Sequence, residues 1–381
     1  MRITIVLGFF LPCPPVSGGA VEKSWHRLAK LFTKQGHAVT IVSRQWQDWP
    51  DDEQIDGVRF LRLPGHDHQS RLWKNLWLDF LWCIRVHRHL TAADVLVLNT
   101  ISLACWIGFL RPGAGRVVIM PGRMPKGQFR LYHHLARILV PSSTVGDAVL
   151  RERPGFLPLI KVVGYPIDWA SLAKSRPNHA TPVTIGFVGR INREKGLDLL
   201  MASLRALSTR ELPPWRAIIC GPADHARGGS GNEYLATLRA QVPSQVTFLE
   251  PIFDEPSLHA IYQQLDVFCY PSLADTGETF GVAVAEAMAA GAVPVVTNLA
   301  CFRDFIMHNV NAVIFDATSD DATHVLADHL AELVTSADKR QALATAARKA
   351  VRRYDFANYA DTLLTDFTQL TAPATEAKSM S

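Results

Sequence analysis

A chain of 381 residues, 48% of them hydrophobic, is too long for one ordinary core and reads as a globular protein of about two domains. Its net charge of +4 conceals an asymmetry: residues 1–172 hold 21 Lys/Arg against 12 Asp/Glu, and the remainder 18 against 23. The basic half suits an anionic surface or acceptor, no Lys/Arg cluster or recognition motif supports nucleic acid as a partner, and six scattered cysteines without Cys-x-x-Cys argue against a zinc or disulfide framework.

The first predicted strand is Ile3–Leu7, turning at Gly8 and Pro12. It lacks a signal-peptide cleavage pattern, so a cytoplasmic location is expected. Pro14-Pro15-Val-Ser-Gly18-Gly19-Ala-Val-Glu22 follows. Its paired glycines either bring the backbone close to an anionic ligand or simply make a tight turn. An amphipathic helix over Val21–Lys34 and strands at Ala38–Val42 and Val58–Leu63 come next. Arg71-Leu-Trp73-Lys74-Asn-Leu-Trp77-Leu-Asp-Phe80-Leu-Trp82 is rich in tryptophan and basic residues. That segment is either a core helix or one that rests at a membrane interface. Val95–Leu110 is uncharged as far as it runs, but Asn99-Thr100 breaks it and it is too short to span a bilayer. Strands are expected at Val95–Leu98, Val117–Met120, Ile138–Val140 and Ile160–Val163, with Pro121-Gly122-Arg123-Met-Pro-Lys126-Gly-Gln128 between the second and third. Arg123 and Lys126 either bind an anionic group or form a solvated basic loop. The pairs His66/His68 and His87/His89 have no acidic partners in sequence, and no metal site is expected.

Ser171–Thr181 reads as a linker, after which strand and helix alternate again from Val183–Val188. Gly189-Arg190-Ile-Asn-Arg-Glu194-Lys195-Gly196 follows that strand. Arg190 and Lys195 offer a planar fork and a point charge to a diphosphate, unless the loop is merely solvated. Neither Gly-x-Gly-x-x-Gly nor a Walker sequence accompanies it, which argues against dinucleotide and P-loop enzymes. Further strands are predicted at Ala217–Cys220, Val246–Leu249, Val267–Tyr270, Val293–Val296 and Ala312–Phe315. After Tyr270, Glu278 is placed at the entrance of a short Ala-rich helix over Val282–Ala290 stopped by Gly291, with Glu286 about two turns further in. The free amides of Thr279, Phe280 and Gly281 suit a phosphate, and the two acceptor-only carboxylates suit hydroxyls of a sugar or ribose. A capping acid and a snorkelling acid are the alternative. A terminal helix from about Asp338 to Leu370, broken near Tyr354-Asp355-Phe356, folds back onto the first domain.

Taken together, Gly-Gly-x-x-Glu after the first strand, Gly-Arg-x4-Lys-Gly opening the second half, and Glu-x7-Glu followed by Ala-x-Gly-x-Pro-Val-Val resemble the retaining nucleotide-sugar glycosyltransferases of family 4. The resemblance covers essentially the whole chain and is most specific in the second half. It implies the GT-B fold: two Rossmann-like parallel-sheet α/β domains facing each other across a deep cleft, with a C-terminal helix crossing back. The expected division is an acceptor-binding domain over 1–172, a linker over 173–182, a donor-binding domain over 183–350, the returning helix over 351–372 and a flexible tail over 373–381. The resemblance further implies that Arg190 and Lys195 bind the diphosphate, Glu286 holds the ribose, and Glu278 contacts the donor sugar near the reacting centre. Thr279, Phe280 and Gly281 approach the phosphates, and Gly18 and Gly19 close over them from the other domain.

The implied reaction is metal-independent, cofactor-free, same-face displacement from a nucleotide-diphosphate sugar to a saccharide or lipid-linked acceptor in cell-surface polysaccharide or glycolipid synthesis, near the inner membrane surface. A non-catalytic nucleotide-sugar-binding subunit and an epimerase of the same fold are the competing readings. Many family members carry a histidine at the end of the strand matching Val117–Met120. This chain has Pro121-Gly122-Arg123 there, and His133 and His134 lie too far downstream to replace it.

Overall fold

The computed structural model describes residues 1–16, 19–174, 181–240, 242–274 and 277–372. The chain forms two compact units, one of residues 1–166 and 356–381, the other of residues 167–355. The expected linker residues 175–180 and the tail 373–381 lie outside the described residues.

Unit 1 is built on eight strands: β1 (Arg2–Val6), β2 (Ala38–Arg44), β3 (Asp52–Ile55), β4 (Val58–Leu63), β5 (Val95–Leu98), β6 (Arg116–Ile119), β7 (Leu135–Val140) and β8 (Ile160–Val162). They align in the order β3-β4-β2-β1-β5-β6-β7-β8. All neighbours are parallel except β3 and β4, an antiparallel hairpin turning through Asp56-Gly57, both at positive φ. Sequence patterning missed β3 because Asp52-Glu-Gln-Ile55 is polar and only half-covered, as an edge strand can be. The central strands read as continuous apolar runs because helices cover both faces of the sheet.

The helix Ala20–Lys34 buries Trp25, Leu28, Ala29 and Phe32, a single stripe at 3.6-residue spacing. The last helix, Phe356–Thr371, repeats the device with Tyr359, Ala360, Leu363, Leu364 and Phe367. Phe32 and Phe367 meet edge to face at 6.3 Å. Asp366, 1% exposed, accepts from Arg137 at 3.0 Å and Lys161 at 3.1 Å, tying this last helix to the sheet. The helix Ala337–Val351 and the turn Arg352–Tyr354 belong to unit 2, so the chain re-enters unit 1 at Phe356.

Unit 2 carries β9 (Val183–Val188), β10 (Trp215–Cys220), β11 (Val246–Leu249), β12 (Val267–Tyr270), β13 (Val293–Thr297) and β14 (Val313–Phe315). The sheet is parallel throughout, in the order β11-β10-β9-β12-β13-β14. Asp266, at the foot of β12, accepts the Thr184 backbone N–H at 2.8 Å and pins β12 to β9 at the end away from the loops that carry Arg190 and Glu278.

Candidate functional site

In each sheet the chain runs outward in one direction and then returns to run outward in the other, so two neighbouring strands send their connections to opposite sides. In unit 2 these are β9 and β12, and in unit 1 they are β1 and β5. A crevice opens at the carboxyl ends of such a strand pair, and ligands of open α/β sheets bind there.

At the carboxyl end of β9, Asn192 caps a turn over Arg193–Lys195 by accepting the Glu194 N–H at 3.0 Å. Gly196 ends that turn with φ +70, and a Cβ there would lie 1.9 Å from the Pro271 carbonyl oxygen. The close approach of these two loops therefore depends on the missing side chain. It brings Lys195 to Glu278. The two form an ion pair with Lys195 3% and Glu278 9% exposed. The Tyr270 hydroxyl, at the end of β12, donates to Glu278 Oε1 at 2.9 Å, and the Lys195 ammonium lies 5.5 Å from the centre of the Tyr270 ring.

Arg190 extends the array toward solvent. Its guanidinium donates to Glu194 Oε1 at 3.1 Å and to the Gly228 carbonyl at 3.2 Å, and the same Glu194 oxygen is 3.9 Å from the Lys195 ammonium. Two cations thus face two carboxylates in one continuous arrangement. Sequence reasoning singled out Arg190, Lys195 and Glu278 but missed Glu194 and Tyr270. The i,i+4 spacing of Arg190 and Glu194 was an available signal, whereas the Tyr270 contact depends on how β12 and its loop meet.

The Ala-rich helix covers Val282–Ala290, opened by Gly281 and closed by Gly291, both left-handed. It begins four residues after Glu278, so Glu286 stands little more than one turn inside it instead of the two expected. Thr279, Phe280 and Gly281 precede the first turn. The Phe280 ring is buried against Phe305 at 4.8 Å and Tyr354 at 5.0 Å, leaving only its backbone to serve a ligand. Glu286 is half-buried, and the Tyr262 phenol is held well above its ordinary range first by burial and then by the Glu286 charge. Burial, followed by the Glu278 charge, does the same to Tyr270. Both phenols therefore stay protonated and remain donors.

In unit 1 the carboxyl ends of β1, β5 and β6 surround a cavity of about 480 Å³. Its wall includes Phe10, Gly19, Glu22, Asp79, Thr100 and Arg123. Gly19 opens the helix Ala20–Lys34 at φ +89, where a Cβ would meet Glu22 Oε2 at 2.2 Å. Gly18 lies outside the described residues. Burial raises both Glu22 and Asp79 above the usual carboxylate range, although Asp79 accepts the Ser102 N–H at 2.7 Å. Arg123 is exposed on the rim; Lys126 is exposed too, but is not among the described residues that line the cavity.

The helix Leu72–His89 divides the two alternatives left by its sequence. Asp79, Trp82, Cys83 and Val86 are buried, whereas Leu72, Trp73, Leu76, Trp77 and Phe80 are exposed, Trp73 at 62% and Trp77 at 57%. Leu72 and Leu76 also line the cavity. Among the described residues, no helix is long and apolar enough to cross a membrane.

Residues 171–350 match the family model of glycosyl transferases group 1. That match runs through nearly all of the second unit. Over its whole length the chain has the two-sheet GT-B build, aligning with a sucrose-phosphate synthase from Thermosynechococcus elongatus at TM-score 0.74 and 17% identity, covering 97% of this chain and 98% of that one. The chain is 29% identical to a phosphatidyl-myo-inositol mannosyltransferase of Mycobacterium tuberculosis across 96% of each protein. It is 32% identical to a D-inositol 3-phosphate glycosyltransferase of Corynebacterium urealyticum over 186 residues, which span 47% of this chain and 41% of that relative. The shorter alignment and the family match place the glycosyltransferase signal chiefly in the domain that carries Arg190, Lys195 and Glu278.

Proposed function

We propose that the protein is a retaining glycosyltransferase of family 4 that moves a hexose from a nucleotide-diphosphate donor to a saccharide or lipid-linked acceptor. The buried Lys195–Glu278 pair beside Arg190 carries this reading. A diphosphate arriving at the carboxyl ends of β9 and β12 draws Arg190 and Lys195 to itself, and Glu278 is then available to accept from a sugar hydroxyl. Glu286 accepts from the ribose. The amides from Thr279 to Gly281, Arg190 and Lys195 stabilise the leaving diphosphate, whose oxygen takes the acceptor proton during same-face displacement through an oxocarbenium-like transition state. Two cations and a helix entrance supply the charge that a metal supplies elsewhere, so neither metal nor cofactor enters the scheme.

The acceptor belongs to unit 1, in the cavity rimmed by Arg123, with Lys126 and Gly19 on its approaches. The exposed Trp73, Trp77 and Phe80 face, flanked by Arg71 and Lys74, fits the cytoplasmic surface of an anionic bilayer, where indole rings partition at the headgroups and lysines are drawn by the lipid charge. Because Leu72 and Leu76 belong to both the patch and the cavity wall, a lipid-linked glycan can reach the cavity from that surface. Cell-surface polysaccharide or glycolipid synthesis is the setting this implies.

The test is turnover of a panel of nucleotide sugars, with the anomer of the product read by NMR and chelator present. Glu278→Ala, Arg190→Ala and Lys195→Ala, each checked for fold, should each lose at least about a hundredfold in kcat/KM. Near-normal transfer by these variants, or an inverted anomer, would sink the proposal.

A further inference from the structure

We propose that Tyr270 is a positioning residue whose hydroxyl fixes Glu278 of the donor site. The inference rests on the donor site proposed above and assigns it one further residue.

The Tyr270 ring cannot turn its hydroxyl away. It is stacked on Phe187 at 5.6 Å and on Phe268 at 5.9 Å, with interplanar angles of 10° and 15°, and Phe302 meets it edge-on at 6.5 Å. Its hydroxyl and the Lys195 ammonium both meet Glu278 at Oε1, and among the described residues neither uses Oε2. That division leaves one oxygen for a ligand hydroxyl and one for the protein. It also solves a problem of charge. When Lys195 turns to a diphosphate, Glu278 loses the Lys195 ammonium while still 9% exposed, and an uncompensated buried carboxylate is strongly disfavoured. The Tyr270 hydroxyl remains, already aligned, and keeps the carboxylate aimed.

Tyr270 serves the sugar, where bonds change. Phenylalanine preserves the ring and removes only the hydroxyl. With the full-length protein, Tyr270→Phe should lower kcat by about 10- to 100-fold, the loss expected for one hydrogen bond to a charged group, with the Kd for UDP, GDP or ADP within about twofold. In a Glu278→Ala background, Tyr270→Phe should have no further effect on kcat.

Equal shifts of kcat and Kd, a wild-type kcat, or a Tyr270→Phe effect that persists without Glu278 overturns the proposal. Melting curves accompany each measurement, and where Tyr270→Phe fails to fold, Phe187→Leu, which frees one face of the Tyr270 ring, should lower kcat by about threefold with the nucleotide Kd unchanged; a wild-type kcat there overturns it equally. If the unaltered protein binds none of the three nucleotides, the donor site itself is wrong, and that failure is distinct from wild-type behaviour by variants of a nucleotide-binding protein.

Discussion

Lys195 and Glu278 are 83 residues apart in sequence and form a buried ion pair that joins the loop after β9 to the loop after β12. In the free protein this pair makes the site electrically quiet. In the proposed scheme a donor anion breaks it, which couples recognition to a rearrangement of charge within one domain.

Removing one partner strands the other. Lys195→Met should destabilise the protein by about 3 kcal/mol in urea unfolding with an unchanged m-value, because Glu278 is left buried without its cation. Lys195→Met combined with Glu278→Leu should recover most of that loss and still be inactive. A double variant as unstable as the single one would show that packing, and not charge pairing, dominates here.

Gly196 is where the loop after β9 passes closest to Pro271. Gly196→Ala must accommodate a left-handed backbone and a Cβ that would sit 1.9 Å from the Pro271 oxygen. We expect a loss of at least about 2 kcal/mol and a fall in donor turnover, since the loop carrying Lys195 has to withdraw from the loop carrying Glu278. Gly36→Ala is the control: it shares the positive φ but has open space around the new carbon. Equal destabilisation of the two would assign the cost to backbone strain alone.

The exposed tryptophans give a prediction that is independent of the donor site. Trp73→Ser with Trp77→Ser should abolish co-sedimentation with vesicles containing about a third phosphatidylserine, leave stability within about 0.5 kcal/mol, and leave nucleotide affinity unchanged. Retained vesicle binding would remove the membrane from the proposed function.

Glu22 sets a pH dependence. Its folded-state proton affinity is raised by burial, so the folded chain holds a proton that the unfolded chain gives up near pH 4.5. Stability therefore falls as pH climbs from the unfolded value through the folded one and is flat beyond, which is the reverse of a salt-bridged carboxylate. Glu22→Gln should melt at a higher temperature than the parent at pH 7 and at nearly the same temperature at pH 4. Parallel melting curves at both pH values would contradict the assignment.

Periodicity and turn chemistry made much of this molecule legible in the sequence. The limits Val282–Ala290 and the stop at Gly291 follow from an alanine-rich run and a left-handed glycine, and the strand positions of the second half follow from regular alternation, whereas the adjacency of β9 and β12 appears only in the sheet order. What escaped is what tertiary contact creates. The edge strand Asp52–Ile55 has no apolar run to betray it. Tyr270 reads as the end of a buried strand, which it is, and only the loop's return places a carboxylate 2.9 Å from its hydroxyl. The helix Leu72–His89 shows why composition alone left two readings open: Trp82 is core, whereas Trp73 and Trp77 are exposed on the opposite face.

The helix Phe356–Thr371 completes the core of unit 1 with residues that are made last. On a ribosome, the sheet that begins at Arg2 would emerge and wait through all of unit 2 before Phe367 reaches Phe32. Until then Phe32, at the C-terminal end of the helix Ala20–Lys34, lacks its Phe367 partner and leaves an apolar seam there. A chain cut before residue 356 would leave that seam uncovered for good, so loss of the last helix should appear as aggregation during synthesis well before it appears as a catalytic defect.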